Sequence, residues 1–301
     1  MDDFSSLVQN LQYQIAKGHL YNLDNDEFYE NIHLGYDAFG RLELQLTNLI
    51  LDSLFPILCD LPINSLIMKY CACYEFSNGF FERCPLVFFY IYGCQIDHFQ
   101  PLESVHPTLG EMWISSCEIK QPLNQFEMMP HLTKLVYSNA QLEEIPSSVS
   151  TLSCLSTFMA YGNNIRSMNL LCNNRALQFI SLTNNKIDSL PSDLELIPYL
   201  KRLDLSENRI KVIPENISEL RYLEQFRLDH NRLTALPIEL YALPLLSTLE
   251  VQMNPLLTFN PHNIPMQLLL YLTLSKEALK GQGFDFDLYP MLTESGGLEV
   301  I

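Results

Sequence analysis

The sequence predicts an α/β solenoid: short strands, one per repeat, lying side by side in a parallel sheet, with a helical cap at each end. Three observations lead there. Asn185, Asn208, Asn231 and Asn254 stand 23 residues apart, each inside the same phrase (Ile180/Leu182/Asn185, Leu203/Leu205/Asn208, Phe226/Leu228/Asn231, Leu249/Val251/Asn254). A fixed period of this length is the signature of a repeat array. Within the phrase the apolar residues alternate, as they do in a strand with one buried face. Outside the array, both ends of the chain carry apolar residues at helical spacing.

In chain order the first element is an amphipathic helix over residues 3–17, where Phe4, Leu7, Leu11 and Ile15 precede Gly18. Between Tyr21 and Asp37 the chain is acidic and reads as irregular. Residues 1–62 are therefore expected to form an acidic, partly helical N-terminal cap, with ten acids against two bases. Leu44, Leu46, Leu51 and Leu54 form a loosely spaced unit inside it. Nine regular units follow over residues 63–260, starting at Ile63, Leu86, Leu109, Leu132, Leu155, Leu177, Leu200, Leu223 and Leu246. The clearest runs Leu200, Leu203, Leu205, Asn208, Ile210, Ile213, Pro214, with Ile217 and Leu220 packing the return segment. One unit cannot bury its own apolar row, whereas a stack buries a continuous one. Residues 261–301 hold a C-terminal cap, an apolar helix over Pro265–Lys280, and a tail from Gly281.

The position that ends each strand reads Cys71, Cys94, Cys117, Ala140, Asn163, Asn185, Asn208, Asn231, Asn254. A buried polar side chain in a turn must bond the backbone, and Asn can both donate and accept. The repeat accounts for the three cysteines without a metal, since Cys71-x-Cys73 has no matching second pair. Stacked on neighbouring strands, they could also approach disulfide distance. Ala140 interrupts the ladder, so a weakening or kink is expected there. The unit at Leu155 is one residue short, and Asn169 stands where other units have proline.

The unit L-x-x-L-x-L-x-x-N-x-L-x-x-L-P resembles the leucine-rich repeat family, in its intracellular class with an L-P pair after the asparagine. The resemblance covers residues 63–260 and is most complete in the last four units. It implies a curved horseshoe with the strands on the concave side, helical or extended returns on the convex side, and an interaction module as the default role.

On such a fold the residues between the buried leucines face the concave side. Their middle column is Ile67, Tyr90, Trp113, Val136, Met159, Ser181, Asp204, Arg227, Glu250. It begins apolar and aromatic and ends charged. Tyr70, Phe88, Tyr92, Tyr161 and Phe179 flank the first half; Lys201, Arg202, Glu207, Glu224, Asp229 and His230 flank the second. An exposed apolar cluster marks an interaction site, and aromatic residues and arginine are the usual anchors of interfaces. The expected partner-binding residues are therefore Phe88, Tyr90, Tyr92, Trp113, Met159, Tyr161 and Phe179, with Arg202, Asp204, Arg227 and Asp229 supplying orientation and selectivity. Two plainer readings stand beside this one: the aromatics pack on each other along the sheet, or the cap covers them. Mixed charges on adjacent strands also form solvated ladders of little energetic value.

The net charge of −17 serves solubility or draws a basic protein partner; residues 199–254 are nearly balanced, with eight acids and seven bases. There is no basic stripe for nucleic acid or anionic lipid. Met1-Asp2-Asp3-Phe4 has neither a basic start nor an apolar run, so no secretory signal is expected. Buried free cysteines fit a reducing, cytoplasmic setting. The sequon at Asn216-Ile217-Ser218 reads as chance, and Leu268–Leu274 is too short to span a bilayer. No nucleophile elbow, Walker loop or dinucleotide fingerprint occurs, and the histidines form no H-x-x-x-H pair. His230, beside Asp204 and Asp229, reads as a binding contact. No cofactor or metal is expected. The expectation is a non-catalytic intracellular binding protein, an adaptor, scaffold or effector; the alternative is an acidic inhibitor or immunity-type protein that neutralises a basic enzyme.

Overall fold

The computed structural model describes residues 31–52, 58–59 and 61–255, and the backbone of 272–273. The expected cap helix over 3–17 lies outside the described residues. Of the helix expected over 265–280 only Leu272–Thr273 is described, and its backbone is a strand paired in parallel with Leu249 and Glu250, because the end of the sheet offers it hydrogen-bond partners. The chain divides between Ala140 and Gln141 into two compact units, at the repeat whose ladder residue is alanine.

The first unit opens with a hairpin. Strand β1 (Ile32–Tyr36) pairs antiparallel with β2 (Leu42–Thr47). Asp37 holds the turn by accepting the N–H groups of Phe39 and Arg41 at 2.8 and 2.9 Å, and Gly40 takes the left-handed conformation at φ 75°. The end of the stretch expected to be irregular is thus a strand, because Ile32 and Leu34 alternate opposite Leu46 and Leu44. The loosely spaced unit around Leu44 is a strand of the sheet too. Its Leu44 and Leu46 are fully buried, and β2 pairs in parallel with β3 (Ser65–Lys69).

Two sheets then alternate along the chain. β4 (Ala72–Phe76), β6 (Gln95–Phe99) and β8 (Glu118–Gln121) form a second, three-stranded parallel sheet on the return side. β5 (Phe88–Tyr92), β7 (Glu111–Ser115) and β9 (Lys134–Ser138) continue the main sheet. Between the sheets lies the core: Leu44, Leu66, Phe89, Met112 and Leu135 in one row, none of them accessible to solvent. A single-turn helix α1 (Gly79–Glu82) adds Phe80 and Phe81, which with Phe89 and Phe99 surround Phe76 at ring distances of 5.1–5.7 Å.

The second unit repeats the plan with shorter parts. β10 (Thr157–Met159), β11 (Phe179–Ser181), β12 (Arg202–Asp204), β13 (Gln225–Arg227), β14 (Thr248–Glu250) and β15 (Leu272–Thr273) pair in parallel. The returns are 3-10 turns: Ser147–Thr151, Asn169–Asn173, Leu194–Leu196, Glu215–Glu219 and Ile238–Ala242. Phe158, Ile180, Leu203, Phe226 and Leu249 make the buried row.

The ladder residue differs between the two kinds of return. Asn208 Nδ2 donates to the carbonyls of Leu182 in the preceding repeat (2.9 Å) and Leu205 in its own (3.0 Å), while its Oδ1 accepts the N–H of Ile187 (3.0 Å). Asn185, Asn231 and Asn254 repeat this pattern. A thiol donates weakly and accepts poorly. Cys71 and Cys94 reach back as donors over longer distances, to the Leu46 and Met68 carbonyls at 3.5 and 3.6 Å. Behind the ladder residue the returning backbone also bonds its neighbour in both kinds of repeat: Gln95 N–H donates to Cys71 O and Glu118 N–H to Cys94 O at 2.9 Å, and Lys186 N–H to Ile165 O and Arg209 N–H to Ile187 O at 2.8 Å. After the cysteines this pairing continues into the β4–β6–β8 sheet. All eight cysteines are free thiols.

Candidate functional site

The face of each main sheet turned away from the core carries the side chains between the buried ones. In the first unit, register aligns Gln45, Ile67, Tyr90, Trp113 and Val136 across β2, β3, β5, β7 and β9. Glu43, Ser65, Phe88, Glu111 and Lys134 run beside them, and Thr47, Lys69, Tyr92, Ser115 and Ser138 on the other flank. The column read from the repeat thus exists within this unit. Its aromatics differ from expectation in one respect: Phe88, Tyr90, Tyr92 and Trp113 are half-buried rather than exposed, and Val136 is 1 % exposed. The physical reason is that the rings rest on one another. Phe88 and Tyr90 lie parallel with centroids 6.4 Å apart; Tyr90 meets Trp113 edge-on at 6.4 Å; Tyr92 meets Tyr70 at 5.5 Å.

Charged groups close over the row. Trp113 Nε1–H donates to Glu111 Oε2 at 3.3 Å, and Lys134 Nζ sits 4.3 Å over the indole ring. Arg41, ion-paired to Asp37 at 2.6 Å, lies 5.1 Å over Phe39 and 5.9 Å over Phe88. These cations were not legible as site residues. Lys134 holds the register position of Phe88 and Glu111 on its strand, a charge in the half of the face read as apolar, and Arg41 comes from the hairpin.

In the second unit the column is Met159, Ser181, Asp204, Arg227 and Glu250, flanked by Phe179 and Arg202. Met159, Tyr161 and Phe179 are half-buried. The charged members form a ladder: Arg227 bonds Glu250 at 3.1 Å and approaches Asp204 at 4.0 Å. Arg202 is exposed and makes no ion pair among the described residues. Asp229 Oδ1 accepts the N–H of Gln252 at 2.9 Å. Burial, and then the neighbouring Glu250 carboxylate, push the Asp229 carboxyl up to about 6.

Tyr70, Glu207 and His230 are not strand residues. Each precedes a ladder residue and has a left-handed backbone, with φ of 54°, 57° and 53°. They stand at the rim of the face, and His230 is exposed there. A further column escaped the sequence reading. Tyr199, Tyr222 and Leu245, each just before the first leucine of its unit, are 47–56 % exposed, and the two tyrosine rings lie 5.8 Å apart. Its 23-residue spacing was there to be read.

Among the described residues no group of His, Cys, Asp or Glu is arranged to hold a metal, and no helix is long and apolar enough to cross a membrane.

The leucine rich repeat family model matches residues 175–233 and 198–256. No curated protein matches the chain. Among solved structures, a leucine-rich repeat protein of Leptospira interrogans superposes with a TM-score of 0.57 at 22 % identity, over 78 % of this chain and 59 % of that one. An internalin (inlF) of Listeria monocytogenes gives 0.57 at 14 % identity, over 92 % and 85 %. TLR13 in its complex with ssRNA13 gives 0.58 at 17 % identity, over 78 % and 40 %. At these identities the likeness is one of fold. The chain spans about three-fifths of the Leptospira protein's length.

Proposed function

We propose that this chain, whose residues 175–256 match the leucine rich repeat family model and whose fold is that of leucine-rich repeat proteins, is a non-catalytic protein-binding module, an adaptor or scaffold of the cytoplasm, whose partner lies on the open face of the main sheet. The family's fold serves protein binding in general; the residues that make it specific here are argued from the face itself. The observation that carries the reading is the aromatic row Phe88, Tyr90, Trp113 on the face turned away from the core. The core does not need these rings, because the opposite face already buries Phe89 and Met112 completely. Aromatic side chains with a polar border are the usual anchors of an interface.

In the second unit Arg202 and the Asp204–Arg227–Glu250 ladder supply orientation rather than affinity, since exposed ion pairs are worth little. Met159, Tyr161 and Phe179 add apolar contact area on that unit. A single-stranded nucleic acid fits the face poorly: its charged positions mix both signs and the chain carries −17 overall. Inhibition of a basic enzyme is a special case of the same reading.

The test is affinity capture from the source cell. Wild type is compared with Tyr90→Ala/Trp113→Ala and with Asp204→Ala/Arg227→Ala, each shown to be folded by circular dichroism. Loss of a captured protein in the aromatic variant supports the reading. Equal capture by all three proteins contradicts it.

A further inference from the structure

Rings and cations alternate across the first unit's open face. Phe39 and Phe88 share Arg41, Phe88 stacks on Tyr90, Tyr90 meets Trp113, and Lys134 covers Trp113. The two ends of the row are thus each occupied by a cation of the chain itself. Neither cation is committed to the core: Arg41 is tethered from the hairpin turn by Asp37, and Lys134 sits on the open face. Carboxylates border the same row. Glu111 lies opposite Phe88 and Lys134 in register and holds the indole N–H. Glu43, on β2, accepts from Gln45 of its own strand and from Ser65 of β3, the strand between it and Phe88.

We propose that this row is a receptor for cationic side chains, so that the protein partner presents arginine or lysine to Trp113 and Phe88 in the places Lys134 and Arg41 now hold. The inference rests on the open face being the binding face. Three physical points support it. An indole is the best aromatic surface for a cation, and the attraction grows as partner atoms exclude water. A guanidinium is more weakly hydrated than an ammonium and stacks flat on a ring, so arginine outcompetes Lys134 at Trp113. The net charge of −17 raises the local concentration of a basic segment and speeds its approach. Glu111 then serves the incoming charge as counter-ion. Lys134 and Arg41 act as placeholders that keep the rings covered until a partner arrives.

Trp113 is the chain's only tryptophan, so its fluorescence reports on this site alone. The experiment titrates the full chain with a peptide of Arg-Gly-Gly repeats and with a matched peptide of Gln-Gly-Gly repeats. The expected result is a saturable change in Trp113 emission with the arginine peptide and none with the glutamine peptide. Two variants separate ring recognition from general attraction, because each removes one positive charge. Lys134→Met bares the indole face; Lys120→Met removes a charge paired to Asp97 on the other sheet. The arginine peptide is expected to bind Lys134→Met tighter by about three- to tenfold and Lys120→Met as it binds wild type. Equal tightening in both variants overturns the proposal, as does an emission that the arginine peptide leaves unchanged. Equal binding of both peptides overturns cation recognition while leaving the open face as a binding surface. Failure of the binding-face reading itself shows separately, as capture that survives Tyr90→Ala/Trp113→Ala.

Discussion

Asn208 makes four bonds from a side chain that is 8 % exposed, three of them with Leu182, Leu205 and Ile187 and the fourth with the Ser206 carbonyl. Removing it leaves the Leu182 and Leu205 carbonyls and the Ile187 N–H without that partner. Asn208→Ala is expected to cost about 2–4 kcal/mol by chemical denaturation, since orphaned buried groups lose their full desolvation energy. Left-handed residues offer the opposite change. Met253 holds φ 53° with its side chain 60 % exposed. Met253→Gly is expected to raise stability by roughly 0.5–1 kcal/mol, because glycine removes the Cβ clash of that conformation at some entropic cost. Asp229 gives a pH signature. Its carboxyl titrates near 6 in the folded chain, above the ordinary carboxylate range, because it is buried beside Glu250. The unfolded chain therefore ionises first, and stability falls as pH rises from about 4 to about 6. Asp229→Asn keeps an acceptor for the Gln252 N–H and should flatten that slope. It should be more stable than wild type by on the order of 1 kcal/mol at neutral pH, discounted for partial exposure. A variant with an unchanged pH profile would contradict the assignment.

At the scale of the element, the strands were legible and the returns were not. Alternation at Leu203/Leu205 or Phe226/Leu228 needs only the local chain, because one face is core and the other is open. The returns rest on bonds to the neighbouring repeat. In the cysteine repeats the returning backbones pair as the β4–β6–β8 sheet, while in the asparagine repeats the side chain and shorter backbone bonds join neighbouring returns ahead of the 3-10 turns. That is a relation between residues about 20 positions apart in sequence, outside any local pattern. The left-handed turn was hidden for another reason. Asn, Tyr, Ser, Glu, His, Met and Gly all occupy it, so composition carries no signal. At one of these turns glycine is required. A Cβ on Gly93, at φ 63°, would come within 2.6 Å of the Tyr70 ring. Gly93→Ala is expected to lower stability by about 1–2 kcal/mol and to break the Tyr70–Tyr92 contact, visible in the near-ultraviolet dichroism. The open-face columns were legible as positions, because register follows the repeat. The packing of ring on ring is one of the plainer readings of the sequence; the covering of the rings by Lys134 and Arg41 was not legible, because it depends on neighbouring strands and the hairpin.

For the molecule as a whole, two compact units meet in sequence at the one ladder position filled by alanine, and each carries its own open face. The first is aromatic and the second charged, and this division is the working account of how the protein binds. In the proposed function affinity comes from Phe88, Tyr90 and Trp113, and selectivity from Arg202, Asp204, Arg227 and Asp229. Ionic strength should separate the two contributions, since screening weakens the exposed charges and leaves apolar contacts intact. The most direct measurement is amide hydrogen exchange on the full chain with and without its captured partner. The account predicts slowed exchange concentrated in β5 and β7 and in β12 and β13, with the β4–β6–β8 strands unchanged. Protection confined to those return strands, or to the exposed Tyr199–Tyr222–Leu245 column, would contradict it.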